Sequence, residues 1–197
     1  MEEIKDERLK DKTDELYANI ITLKRLGVDN YYCANLLKWF NEVVSKNIAI
    51  YQSKKTAGTM DQELYKKPRQ NVYWIDFGRN IGSEFHDCHF AVVLYESKYT
   101  AIVIPLTSKK EQDPTWIEEN KDVIVDLGTI EGYPNENKEC YACTFMLQTV
   151  SKKRLTKYGK NKGVHYKIKI TDEQMKKICD KVSEITYNNI TKISIDK

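Results

Sequence analysis

Apolar positions along this 197-residue chain follow a helical period, switch to strand-like runs, and return to a helical period near the end. Over residues 2–26, Ile4, Leu9, Leu16, Ile20, Leu23 and Leu26 drift around one face at helical spacing, which predicts a helix. Gly27 ends it, and Asp29 stands where an N-cap starts a second helix. That helix carries Leu36, Leu37, Phe40, Val43, Val44 and Ile48, with Trp39 at its edge, and is expected to stop near Tyr51. A polar stretch broken by Gly58 and Pro68 follows and reads as a linker.

Beyond it come short runs rich in β-branched and aromatic residues. Asn71–Phe77, Phe90–Tyr95, Tyr99–Pro105, Asp122–Leu127 and Tyr141–Gln148 are predicted strands, separated by turn signals such as Gly78, Gly82 and the polar residues 96–98. Strands of this length and spacing predict a small closed or half-closed barrel. At the end, Thr171 and Gln174 form a capping box. Met175, Ile178, Cys179, Val182 and Ile185 then line one helical face, suited to cover an open side of the barrel. The expectation is an α+β chain with a helical extension at 1–52, a linker at 53–69 and a barrel domain with its C-terminal helix at 70–197.

Composition narrows the class. Apolar residues make up 41% and charged residues 31%, the balance of a soluble globular protein. No run approaches the roughly 18 apolar residues of a membrane span. The start, MEEIKDERLKDK, has no apolar core of a signal peptide, so a cytoplasmic location without membrane association is expected. Five scattered cysteines argue for reduced thiols rather than a disulfide framework. Net charge is only +3, but residues 151–169 hold eight Lys or Arg and no acid. Such a strip suits a polyanion, or is a solvated lysine-rich face.

Residues 71–108 carry a more specific pattern. Ile75-Asp76-Phe77, Gly82-Ser83-Glu84, Ala91-Val92-Val93-Leu94 and Pro105-Leu106-Thr107-Ser108 follow one another in order, and Leu147–Leu155 adds a strand with a basic turn. Together they resemble the MazF/PemK toxins, over about residues 68–190. The resemblance implies an SH3-like barrel that cleaves single-stranded RNA without a metal or other cofactor. It also implies a homodimer whose partner is a cognate antitoxin protein. Residues 1–67 have no counterpart in the minimal members of that family.

The resemblance also points to site residues. Metal-free cleavage uses the 2′-hydroxyl against the adjacent phosphate, so a proton acceptor, a proton donor and charge stabilisation are required. Thr107 matches the family threonine. The family arginine is absent: His89 stands in its place and Phe90 replaces the following proline. An imidazole with a pKa near 6.5 is a better proton shuttle than a guanidinium but loses the bidentate grip on phosphate. His86 lies in the same loop, so the two imidazoles would divide the acid and base duties. Arg79, Ser83, Glu84, Ser108 and Lys109 are expected RNA contacts around this loop. Lys152, Lys153 and Arg154 form a second basic cluster on the backbone track. Tyr73, Trp74 and Tyr158 are available for base stacking, or belong to the core.

A zinc reading competes through His86, Cys88, His89 and the pair Cys140-x-x-Cys143. Residues three apart on a strand point to opposite faces, which disfavours Cys140 and Cys143 gripping one ion. Two further functions stay open: a barrel that binds RNA or protein without catalysis, and a barrel toxin acting on a protein such as a topoisomerase.

Overall fold

The computed structural model describes residues 6–55, 66–80, 82–161 and 163–195. The chain divides into two compact units, Met1–Met60 and Asp61–Lys197.

The first unit is a helical hairpin. Helix α1 (Glu7–Arg25) is capped by Asp6, whose carboxylate accepts the backbone N–H groups of Arg8 and Leu9. It closes in a Schellman arrangement: Gly27 sits at φ 84°, its N–H reaches the Lys24 carbonyl, and the Val28 N–H reaches that of Leu23. Asp29 then accepts the Tyr32 N–H at 2.8 Å and starts α2 (Asn30–Lys55). This helix runs past the expected end at Tyr51, because no Gly or Pro interrupts it there. Among the described residues of the hairpin only Cys33 is buried, and Phe40 remains 48% exposed. Two helices alone cannot enclose the apolar face of α2.

The second unit is built on an antiparallel sheet. Its strands are β1 (Val72–Asp76), β2 (Cys88–Glu96), β3 (Thr100–Ser108), β4 (Ile124–Thr129), β5 (Glu139–Cys143) and β6 (Gln148–Ser151). The order is β1-β2-β3-β5-β4, and β6 also pairs with β3. The run expected as one strand at Tyr141–Gln148 is broken. Between Ala142 and Gln148 the chain advances six positions while its partner on β3 moves only from Leu106 to Val103. The surplus is a 3-10 turn at Thr144–Met146, and the Thr144 hydroxyl is fixed on the Val123 carbonyl. A short hairpin, β7 (Gly159–Asn161) with β8 (Val164–His165), was not signalled by hydrophobic pattern because all of its described residues are exposed.

Lys169 links the two edges of the sheet. It bridges Asn71 before β1 on one side and Glu131 after β4 on the other, which draws the edges of the SH3-like sheet toward each other. Gly132 makes this approach possible. Its φ is +72°, and a Cβ there would lie 2.1 Å from the Lys167 carbonyl oxygen. Short α3 (Thr115–Glu119) links β3 to β4, and α4 (Asp172–Ile195) is the C-terminal helix.

Alternation along the strands divides the core into two layers. Val92, Ile104 and Leu106 join Met175 and Ile178 of α4 in one; Ile75, Phe77, Val93 and Val103 form the other. At about 25 cal/mol per Å2, burying an aliphatic side chain of this size contributes ~2 kcal/mol, so α4 is held mainly by its apolar face. The capping box holds its start: the Thr171 N–H donates to Gln174, and the Gln174 N–H to the Thr171 hydroxyl. The Gln174 amide also donates to the carbonyls of Leu127 and Thr129, which ties α4 to β4.

Candidate active site

One row of residues crosses the sheet. Ile75 of β1 pairs with His89 of β2, and Thr107 of β3 pairs with Tyr141 of β5, itself opposite Asp126 of β4. Phe90 faces Leu106, so the same register continued by one position sets His89 beside Thr107. Cross-strand neighbours share a face, and so the imidazole and the hydroxyl project to the same side.

The loop before β2 is shaped by its own backbone. Phe77 N–H donates to the Asp87 carbonyl and Asp87 N–H to the Gly78 carbonyl, closing the loop base. Phe85 plugs it from inside, with its ring 5.2 Å from Phe77 and 4.5 Å from His89. Asn80 donates to the Phe85 carbonyl at 2.6 Å. Asp87 adopts φ 65°, a left-handed conformation that Asp tolerates, and this turns its carboxylate between Arg79 and His86. One oxygen is 3.0 Å from Arg79 Nη2 and the other 2.9 Å from His86 Nδ1. Facing a carboxylate, Nδ1 is the donor, which leaves His86 Nε2 for other work.

A cavity of about 620 Å3 opens over this row. His86, His89, Thr107, Ser108, Ser83 and Glu84 line it, together with Lys110. Its apolar wall comes from Phe85, Trp116, Ile117, Phe145 and Met146. Burial pushes the His89 imidazole below its ordinary value, although a bond to the Leu106 backbone and the nearby Asp87 carboxylate oppose the shift. The shift favours the neutral ring, with one nitrogen on the Leu106 backbone and the other able to take a proton.

The remaining expected residues sit elsewhere. Lys109 is drawn away to Asp126 and Glu139, at 2.8 and 2.9 Å, and only Lys110 reaches the cavity. Lys152 is buried against Glu96 at 2.5 Å, and Arg154 donates to the Asp76 carbonyl at 2.6 Å. Lys153 is exposed outside the cavity. Trp74 and Tyr158 pack on Phe90 and Tyr73 is buried, so these aromatics belong to the core. Cys140 joins one core layer and Cys143 the other. Among the described residues, no three His, Cys, Asp or Glu side chains gather as a metal site.

Sequence reasoning did not single out several neighbours. Asp87 was visible only as an acid between two histidines. Tyr141 donates to Asp113 at 2.7 Å and is pushed up to about 12 by burial and by that carboxylate. Asp113, held below the usual carboxylate range by the Lys110 N–H and by Tyr141, fixes the turn that carries Lys110. No sequence motif marks either residue.

Residues 68–186, more than half of the chain, match the family model described as the PemK-like, MazF-like toxin of type II toxin-antitoxin systems. The chain belongs to this family. Its α+β architecture, an SH3-like barrel with a C-terminal helix behind an N-terminal helical hairpin, agrees with that membership. Among solved structures, this PemK/MazF-like chain is similar to an endoribonuclease from a mycobacterial species, at 14% identity. The match covers 64% of this chain and 93% of the other, with a TM-score of 0.38. It is also similar to MazF from Deinococcus radiodurans, at 9% identity over 61% and 96% of the two chains, with a TM-score of 0.40. No curated protein matched. Membership of the toxin family rests on the family model, not on these distant superpositions.

Proposed function

We propose that this toxin is a metal-independent, sequence-selective endoribonuclease that cuts single-stranded RNA through its own 2′-hydroxyl. The observation that carries the reading is a partly buried His89 beside Thr107, in one cavity with His86. His89 takes the proton from the 2′-hydroxyl, whose oxygen then attacks the adjacent phosphorus. The bond from phosphorus to the 5′-oxygen breaks, and His86 Nε2 supplies the leaving oxygen with a proton. The products are a 2′,3′-cyclic phosphate and a 5′-hydroxyl end. Thr107 and Ser108 donate hydrogen bonds to the phosphate oxygens, and Lys110 offsets their charge. Arg79 acts as a positioning residue through Asp87, and Ser83 and Glu84 contact the RNA at the rim. The apolar wall at Trp116 and Phe145 is where base selectivity would arise.

The working form in this reading is a cytoplasmic homodimer restrained by a cognate antitoxin. The helical extension, which runs to Lys55, and the catalytic domain at 70–197 are joined by a linker. Among the described residues no helix is long and apolar enough to cross a membrane.

A single-stranded RNA incubated with the purified chain in excess EDTA tests the reading; discrete fragments ending in cyclic phosphate are expected. His89 in place of the family arginine favours a second reading, an RNA- or protein-binding barrel without catalysis. RNA that stays intact while remaining bound to the protein would select it.

A further inference from the structure

The cationic run at 151–169 is not absorbed by the cavity around His89. Three of its lysines, Lys157, Lys167 and Lys169, meet at a separate groove of about 350 Å3 along the outer edge of β1. Backbone pairing builds it. Val72 N–H donates to the Ile168 carbonyl at 3.0 Å and Ile170 N–H to the Gln70 carbonyl at 3.1 Å. Alternation then buries Ile168 and Ile170 and leaves Lys167 and Lys169 exposed. Thr156 is clamped to Trp74 by two backbone bonds, which brings Lys157 to the same edge. The half-buried Tyr166 adds aromatic surface, and Tyr73 lies buried at the floor of the groove.

These lysines make no ion pair among the described residues, with Glu131 the cross-strand neighbour of Lys169. Among the described residues, no carboxylate lies within 4 Å of Lys157, Lys167 or Lys169, whereas Lys176, Lys177 and Lys181 on α4 are each ion-paired. Lys67, 4.8 Å above the Tyr73 ring, is pushed below the ordinary lysine value by burial and by repulsion from Lys157 and Lys152. A cluster of cations that disfavours its own charge attracts a polyanion.

The groove also has a direction. Tyr73, at the floor of the groove, and Ile75, paired with His89, are buried on the same face of β1, so the groove and the His89 row lie along one strand. Tyr73 and Ile75 are two residues apart, about 6.6 Å along an extended strand. We propose that this groove is a second RNA subsite, gripping nucleotides that flank the scissile phosphate, with phosphates on Lys157, Lys167 and Lys169 and a base against Tyr166. The identity of the polymer rests on the endoribonuclease reading. The partly exposed Tyr166 ring between lysines suits a strand that alternates bases with phosphates better than it suits an acidic peptide, which carries charge but no rings.

The test is fluorescence anisotropy with a 2′-O-methyl oligouridylate, which binds but cannot be cut. Affinity is titrated against salt for the wild type, for K157Q/K167Q/K169Q and for K176Q/K177Q/K181Q, which removes the same charge from α4. For single strands each phosphate contact adds about 0.7 to the slope of log K against log salt, so the groove variant loses about 2. The α4 variant keeps the wild-type slope, and K157R/K167R/K169R, which preserves charge, keeps it too. Equal slopes for the two glutamine variants overturn the proposal. So does an oligoglutamate of matched length that displaces the RNA from the wild type as effectively as RNA itself, since it would assign the groove to an acidic peptide. Loss of cleavage with full binding and slope bears on the catalytic reading alone.

Discussion

Replacing Lys152 with methionine separates a structural lysine from an RNA contact. Lys152 is 5% exposed, and its ammonium lies 2.5 Å from Glu96, whose side chain is 28% exposed. The same carboxylate accepts the Lys67 N–H at 2.9 Å. Burial alone would raise Glu96, but the bonds from Lys152 and Lys67 outweigh it and hold the carboxyl below its usual range. Removing one partner of a fully buried pair costs about 3–5 kcal/mol. Glu96 keeps some contact with water, so the expected loss here is about 2 kcal/mol at pH 7. Because the folded-state pKa of Glu96 is depressed, the pair's contribution is present above the unfolded value and fades as pH falls through the folded one. The gap between wild type and K152M therefore narrows from pH 7 to pH 4. Urea unfolding at both pH values measures it. E96Q/K152M recovers more than half of the loss at pH 7, since no charge is left buried. A loss under about 0.5 kcal/mol at pH 7, or a gap that widens toward pH 4, would refute the reasoning.

Three further outcomes follow from the same geometry. Changing Asp87 to Asn removes the carboxylate that holds His86 Nδ1 and lowers the cleavage rate by about 10- to 100-fold; H86A adds little in that background, as single-turnover kinetics on a short RNA would register. The acid limb of log kcat/KM against pH lies below 6.5, because His89 must be neutral and its pKa is lowered, and D87N moves it further down by removing a carboxylate that raises it. A limb at or above 6.5 contradicts that assignment. Gly132→Ala costs more than about 2 kcal/mol in urea unfolding, from a positive φ and a Cβ driven into the Lys167 carbonyl.

Much of the fold was legible in local signals. The Gly27 stop, the Asp29 cap and the Thr171–Gln174 box each act within one helical turn, and each forms the bonds its residue types predict. The break at Thr144–Met146 was not legible, because Tyr141–Gln148 is continuously strand-like and only its pairing with two halves of β3 demands a turn. The site divided in the same way. His86, His89, Thr107, Ser83, Glu84 and Ser108 lie in one loop and the strands beside it, so sequence order alone brought them together. Lys109 and Lys110 are adjacent and equally charged. Which one faces the cavity is decided by Asp126 and Glu139 on other strands. Lys152 had the same weakness: its burial depends on Glu96, far away in the chain. The wall at Trp116 and Phe145 is assembled from two separated segments of ordinary apolar character and carries no motif.

The central claim is tested most directly by RNA cleavage in excess EDTA with wild type and His89→Ala, both shown to be folded and free of antitoxin. The account predicts discrete fragments with cyclic-phosphate ends from the wild type, and a rate at least about 100-fold lower from the variant. Intact RNA with the wild type, or equal cleavage by both proteins, would contradict it.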